Sequence, residues 1–168
     1  HEIRGISHIE QVKHGVLDFV LNGEAVGPKI LEWKQEKNDM AASEEDKGSI
    51  MSILATDLPV TSRQLKRILK RTGVGIARTG GYTGHGSGEV MIGFTTANRI
   101  PSGREEELLQ ISAIPEHVIN RAFLAAAEAE QEAILNSMTA AKQTRGREGE
   151  LYYSLAEYLN DREVETSK

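Results

Sequence analysis

Two short stretches carry residues whose types and spacing could do chemistry. The first is Lys47-Gly48-Ser49-Ile50-Met51-Ser52-Ile53-Leu54-Ala55-Thr56-Asp57, where a Gly-Ser pair opens a short apolar run. Ile50 to Ala55 is apolar at every position but Ser52 and too short to read as a helix, so it reads as a strand buried on both faces. Ser49 then stands at a strand mouth with its side chain fixed in place. That suits a nucleophile, and it is also an ordinary place for a serine. The second stretch is Ser87-Gly88-Glu89, at the head of an alternating run. Ser87 and Glu89 are two residues apart and point the same way. A hydroxyl and a carboxylate side by side can relay a proton, or simply bond to each other.

The loop before that pair is dense in glycine: Thr79-Gly80-Gly81-Tyr82-Thr83-Gly84-His85-Gly86-Ser87-Gly88-Glu89. Glycines let backbone approach a substrate closely, so a catalytic loop is one reading, with Gly86 and Gly88 as substrate-binding positions. A phosphate cradle is the other, but neither G-x-x-x-x-G-K-[ST] nor G-x-G-x-x-G is met. His1, His8 and His14 match no metal-ligand spacing and read as surface or loop residues. No metal and no cofactor is implied.

The composition narrows the classes of function. A net charge of −5 with no basic block argues against a nucleic-acid binder held by phosphate contacts. No cysteine is present, which removes disulfides, thiolate metal sites and a cysteine nucleophile. No apolar run approaches the roughly 18 residues of a membrane span, so no membrane partner and no signal peptide are expected. The expected compartment is the cytoplasm, with the periplasm left open. With 168 residues the chain can bury one real core.

The elements that must hold these residues follow from the pattern. Gly15 to Leu21 is a strand candidate ending at the turn dipeptide Asn22-Gly23. Ala25 to Trp33 is a second short run, broken at Gly27-Pro28. Glu32 to Lys47 is charged and reads as a solvated loop, which leaves the Gly48-Ser49 bond free to be cut. After the strand from Ile50, Thr61-Ser62-Arg63-Gln64 is a capping box. It opens a helix whose inner face carries Leu65, Ile68, Leu69 and Ile76, with the basic residues Lys66, Arg67, Lys70 and Arg71 mostly on its solvated side. Gly73 and Gly75 weaken that helix and suggest close packing. Glu89 to Thr96 alternates as a strand, with Val90, Ile92, Phe94 and Thr96 on one face and Met91, Gly93 and Thr95 on the other. Ala97 to Gln110 is a connection. A long helix then runs from Ser112-Ala113-Ile114-Pro115-Glu116 to about Lys142, with Ile119, Phe123, Ala126, Ile134 and Met138 inside and Glu128, Glu130 and Glu132 in its polar half. Leu151 to Leu159 is a final peripheral element.

Placed on this order of elements, Gly48-Ser49-Ile50, Ala55-Thr56-Asp57, Gln64-Leu65-Lys66-Arg67, Ala77-Arg78-Thr79-Gly80, Ser87-Gly88-Glu89, Thr96-Ala97-Asn98 and Glu132-Ala133-Ile134-Leu135-Asn136 together resemble the L-aminopeptidase/D-esterase (DmpA-type) family, which includes the β-peptidyl aminopeptidases. The resemblance covers about Gly48 to Arg147. It implies an α+β fold, a four-layer αββα sandwich, of which this chain holds part. It implies self-cleavage between Gly48 and Ser49, so that residues 1–48 end a first subunit and residues 49–168 form the nucleophile-bearing subunit. Ser49 would be the N-terminal nucleophile, Ser87 and Glu89 the polar pair beside it, and Asn22 the oxyanion donor. The implied partners are small peptide, amide or ester substrates, and the implied assembly is a homo-oligomer, a tetramer of processed units. Two other readings stand beside this one: an acyltransferase of the ornithine acetyltransferase type, against which a serine in place of threonine argues, and a truncated, non-enzymatic subunit.

Overall fold

The structure, a computed structural model, describes residues 7–13, 17–37, 48–102, 108–147, 149 and 151–166. Its centre is a three-stranded sheet in the order β1 (Ser7–Lys13), β4 (Ser49–Thr56), β5 (Gly88–Thr95). The central strand pairs antiparallel with β1, Lys13 opposite Ser49, and parallel with β5, Ser49 opposite Gly88 and Ser52 opposite Met91. Parallel neighbours need a crossover. Here it is a pair of short helices, α2 (Ser62–Leu69) and α3 (Thr72–Arg78). The capping box forms as the sequence indicates: Thr61 Oγ1 accepts from Gln64 N and Gln64 Oε1 accepts from Thr61 N. The single helix expected to reach Ile76 is two, because the chain breaks at Lys70-Arg71 and restarts.

The long helix α4 (Ile119–Ala140) follows a 3₁₀ turn at Glu116–Val118. Pro115 precedes that turn in extended conformation rather than occupying the first helical turn. α3 packs on α4, and α2 on β5, so the helices cover one face of the sheet. Leu54, Val60, Ile68, Ile119, Ala122 and Ala126 form the main cluster beneath them, and Ile50, Ile76 and Ile134 a second, with Met91 packed against it. Each of the leucine, isoleucine and valine side chains contributes on the order of 1.5–3 kcal/mol of burial. Gly75 permits the close approach that the sequence suggests: a Cβ there would lie 2.5 Å from Glu130 Cβ and 2.6 Å from Ala127 O.

β4 departs from the expectation of burial on both faces. Ile50, Ser52, Leu54 and Thr56 are buried, whereas Met51 is 50% and Ile53 36% exposed. On β5 the alternation falls as expected, and Val90, Ile92 and Phe94 lie on the uncovered side. The described residues thus make one helical layer and one sheet layer of the αββα arrangement.

Three further expectations are corrected. The strand ending at Asn22 is only β2 (Val20–Leu21), in a hairpin with β3 (Glu24–Ala25). Asn22 at φ 52 and Gly23 at φ 83 make its turn. Gly27-Pro28 opens a helix, α1 (Gly27–Glu36), because proline in the first turn loses no hydrogen bond. The helix takes Glu32 to Glu36 out of the expected charged loop, and residues 38–47 lie outside the described residues. The last element is not peripheral. A short hairpin of β6 (Thr144–Arg145) and β7 (Leu151–Tyr152) leads to α5 (Leu155–Thr166). Leu155 and Tyr158 of α5 join Phe19, Val26, Ile30 and Trp33 in a third core cluster. Trp33 meets Tyr153 and Tyr158 edge-on and donates from Nε1 to Asp161 Oδ2 at 3.1 Å.

Candidate active site

The parallel pairing of β4 and β5 brings the two chemical stretches together. Ser49 is the first residue of β4 and Gly88 the first of β5, and Ser49 Oγ donates to Gly88 O at 2.8 Å. Gly88 is the residue between Ser87 and Glu89. Ser87 Oγ in turn donates to Glu89 Oε1, so the hydroxyl and carboxylate that sequence spacing pairs are bonded to each other. A turn holds this head of β5, with Ser87 N donating to Gly84 O at 3.0 Å, and Gly86 lies exposed within it.

The pleat divides the three residues between two sides of the sheet. Ser49 and Gly88 are register partners and share a side. A Cβ on Gly88 would lie 3.7 Å from Ser49 Oγ, which places both on the uncovered face with Met51, Ile53 and Val90. Glu89 alternates with Gly88 and shares the side of Met91, which packs in the cluster with Ile50 under the helices. Ser49 therefore meets the Ser87–Glu89 pair through the Gly88 backbone, and no hydrogen bond among the described residues joins the side chains directly. Ser49, Ser87 and Glu89 are all half-buried, reachable and yet held.

The glycine loop reaches this mouth from the end of α3. Gly80, at φ +94, lies so close to the Asp18 carbonyl that a Cβ there would overlap it at 1.6 Å. Only glycine fits, and the contact ties the loop to the segment before β2, while Val20 N at the head of β2 donates to Thr79 O at 3.0 Å.

Asn22 is the residue expected as oxyanion donor. It is exposed in the β2–β3 turn and shares no hydrogen bond with Ser49, Ser87 or Glu89 among the described residues. With Leu21, Val26, Lys29 and Tyr158 it lines a cavity of about 300 Å³ beside α5. Of the three histidines, His8 falls in β1, and His1 and His14 lie outside the described residues. No group of three His, Cys, Asp or Glu with metal-holding geometry occurs among the described residues. No helix among them is long and apolar enough to cross a membrane.

Sequence reasoning missed Glu130. It lies in α4 with no exposed surface, and its Oε2 accepts from Ser52 Oγ at 2.7 Å. Glu128 and Glu132 are solvated as expected; Glu130 is not. The signal was its spacing, four residues after Ala126 and four before Ile134, both inward-facing.

Comparison with known proteins bears on the family and the fold. The model of Peptidase family S58 matches residues 6–152. Two β-peptidyl aminopeptidases named BapA are similar. That of Sphingosinicella microcystinivorans is 35% identical over 102 residues, 61% of this chain and 26% of its own. That of Sphingosinicella xenopeptidilytica is 29% identical over 153 residues, 86% of this chain and 38% of its own. Among solved structures, the PH0078 protein of Pyrococcus horikoshii OT3 superposes with a TM-score of 0.72 at 36% identity, over 90% of this chain and 44% of its own. The L-aminopeptidase D-Ala-esterase/amidase of Ochrobactrum anthropi, described as a variant of the N-terminal-nucleophile hydrolase fold, gives 0.71 at 26% identity, over 90% and 45%. The chain thus spans less than half the length of the relatives it matches. With the family model matched over nearly all of its residues and the same fold in its neighbours, the chain belongs to Peptidase family S58.

Proposed function

We propose that this chain carries the nucleophile of a self-cleaving aminopeptidase, cut between Gly48 and Ser49, that removes N-terminal residues from small peptides, amides or esters. The observation that carries the reading is the mouth of β4, where Ser49 Oγ lies on the uncovered face and bonds to the backbone between Ser87 and Glu89. In the uncut chain Ser49 N is an amide and cannot act as a base, and the Ser49 hydroxyl donates a hydrogen bond to Gly88 O. Attack of Ser49 Oγ on the Gly48 carbonyl carbon forms a C–O bond and breaks the C–N bond, with the proton passing to nitrogen. Water then cleaves the ester, leaving a carboxylate on Gly48 and a free amine on Ser49. That amine, with a pKa of about 7.7–8, is partly neutral near pH 7 and can take the proton of its own hydroxyl. Ser49 next attacks a substrate carbonyl, the amine or alcohol portion leaves, and water releases the acyl group. Glu89 would balance the charge of the Ser49 amine or bind the free amine of the substrate.

The uncovered sheet face fits this role. In an αββα sandwich a second sheet lies over Met51, Ile53, Val90, Ile92 and Phe94, and the pocket at Ser49 forms between the two sheets. We assign that sheet to the part of the family fold that this chain does not span.

The test is an intact-mass spectrum under denaturing conditions, followed by an assay on a free-amine ester. Two species, the heavier beginning at Ser49, are expected from the natural chain, and one full-length species from Ser49→Ala. A single full-length mass for the natural chain, with no ester hydrolysis, would overturn the reading. A Glu89→Gln variant that still cuts itself but shows a raised KM would assign Glu89 to the substrate amine; one that no longer cuts would assign it to proton transfer.

A further inference from the structure

Register partners lie on one side of a sheet, so the uncovered face of the three strands can be taken row by row. The row at the mouth is Lys13 of β1, Ser49 of β4 and Gly88 of β5. The rows beyond it run from Gln11, Met51 and Val90 to Ser7, Ala55 and Phe94. Among these positions Lys13 is the one residue of a charged type. Glu10 and Glu89 are register partners of Ser52 and Ile50 and so belong to the helix-covered side. A single cation therefore shares a row with the candidate nucleophile, on a face whose other rows are mostly apolar.

The place of that lysine within the face matters. Burying a charge in apolar surroundings is costly, and a lysine in a middle row would meet that cost once a second sheet covered the face. In the end row a long stem can keep its charged head in the water of the mouth. On the other side of Ser49 the row ends in Gly88, where a Cβ would lie 3.7 Å from Ser49 Oγ. The row thus reads as a cation, a hydroxyl and a position without a side chain, which leaves room for a substrate.

We propose that Lys13 is a catalytic residue whose ammonium steadies the negative charge formed when Ser49 attacks a carbonyl. The proposal rests on the reading of Ser49 as nucleophile. Paired residues of an antiparallel ladder have Cα atoms about 4.5–5.5 Å apart, a span that a four-carbon stem with rotatable N–H donors covers. An ordinary lysine amine, with a pKa of about 10.4, is charged at neutral pH. Lys13 is accordingly a donor and not the base that takes the hydroxyl proton. As Ser49 Oγ bonds to the carbonyl carbon, the carbonyl electron pair moves onto oxygen. Lys13 Nζ donates a hydrogen bond to that oxygen and keeps its proton. On collapse the pair returns to the C=O bond and the bond to the leaving group breaks. The leaving nitrogen or oxygen takes the proton that Oγ gave up. The same step serves the Gly48 carbonyl in self-cleavage and the carbonyl of a substrate.

The experiment compares the natural chain with Lys13→Met and Lys13→Arg. Lys13→Met keeps an unbranched stem and removes the charge. It should lower kcat on a free-amine ester by about 100- to 1000-fold, the weight of one oxyanion donor. The product beginning at Ser49 should appear more slowly by a similar factor, while KM and the urea midpoint stay unchanged. Lys13→Arg should recover most of the loss, because a guanidinium is a cation that does not serve as a base. Natural rates in Lys13→Met would overturn the proposal, and so would Lys13→Arg as slow as Lys13→Met. Placement is read apart from activity. The chain has no cysteine, so Lys13→Cys combined with Ser49→Cys supplies a single pair within the roughly 4.4–6.8 Å Cα span of a disulfide. Mild oxidation should join the two, seen as loss of the thiol hydrogens by mass, and a pair that stays open would overturn the placement. If the pair joins but the natural chain neither cuts itself nor hydrolyses the ester, the reading of Ser49 falls and the role of Lys13 with it. If the natural chain is active and Lys13→Met equally so, the role of Lys13 alone falls.

Discussion

Leu54 and Ile53 are neighbours on β4 and similar in size, yet Leu54 has no exposed surface and Ile53 keeps 36%. The same division runs through the sheet. Ile50, Ser52, Leu54 and Met91 lie under α2, α3 and α4, while Met51, Ile53, Val90, Ile92 and Phe94 face outward. Residue type does not distinguish the two faces, because both are built for burial. Only the helix-covered face is satisfied by the described residues, and the nucleophile candidate opens onto the other. The two faces teach that the core and the candidate nucleophile are separated across one sheet, with the core behind β4 and Ser49 in front of it.

The largest expected effect tests that separation directly. Leu54→Ala leaves a cavity among Val60, Ile68 and Ala122 and should cost about 2–5 kcal/mol. Ile53→Ala should cost less than about 1 kcal/mol, since half-exposed side chains lose little. Urea unfolding of both variants measures the contrast. A cost at Ile53 equal to that at Leu54 would mean that the outer face is covered in solution, by another polypeptide or a second copy.

Glycines on the two faces sharpen the same contrast at smaller amplitude. Gly75→Ala drives a methyl into Glu130 Cβ and the Ala127 carbonyl, and backbone cannot step aside, so a loss of about 1–3 kcal/mol is expected. Gly88→Ala meets only Ser49 Oγ at 3.7 Å and should leave stability within about 0.5 kcal/mol. Its effect belongs to the site instead. A larger side chain, as in Gly88→Leu, would stand over Ser49 and slow attack on substrate without unfolding the chain. Equal losses of stability at the two glycines would remove the distinction between the faces.

Much of this was legible from residue order. The capping box at Thr61 and Gln64 announced α2, and the alternation from Glu89 to Thr96 announced β5 and its two faces. The Ser87–Glu89 pairing followed from strand period alone, and the placement of Ser49 at a strand mouth from the Gly-Ser boundary. What was not legible depended on partners distant in sequence. The burial of Glu130 is decided by Ser52, 78 residues earlier. The role of α5 is decided by Trp33, which the charged neighbours Glu32 and Lys34 disguised as part of a loop. Gly27-Pro28 reads equally as a break or as a helix start until something covers Ile30 and Leu31. The open face of β4 was the hardest to foresee, because an apolar run specifies burial without specifying what does the burying.

The smallest expected effect concerns acid stability, and it falls on the helix side and on the α1–α5 cluster rather than on the open face. Glu116, ahead of α4, accepts from Arg67 and Arg63 of α2, and the hydrogen bond from Arg67 chiefly holds its carboxyl below the ordinary 4.5. Asp161 of α5 is held below 3.8, first by its hydrogen bond from Lys37 and then by that from Trp33. Both folded-state values are depressed. Their contribution is therefore complete above the unfolded values and is lost as pH falls through the folded ones. The unfolding midpoint should be level above about pH 4.5 as far as these groups decide it, and should fall below that. Glu116→Gln should flatten the upper part of the fall, and Asp161→Asn the lower part. Ile53→Ala should leave its shape untouched, since no titrating pair anchors the outer face among the described residues. Both pairs are solvent-exposed, so the effect should shrink in about 1 M salt, where the screening length is about 3 Å. A fall that persists unchanged in Glu116→Gln and in high salt would assign the acid limb to groups other than these two carboxylates.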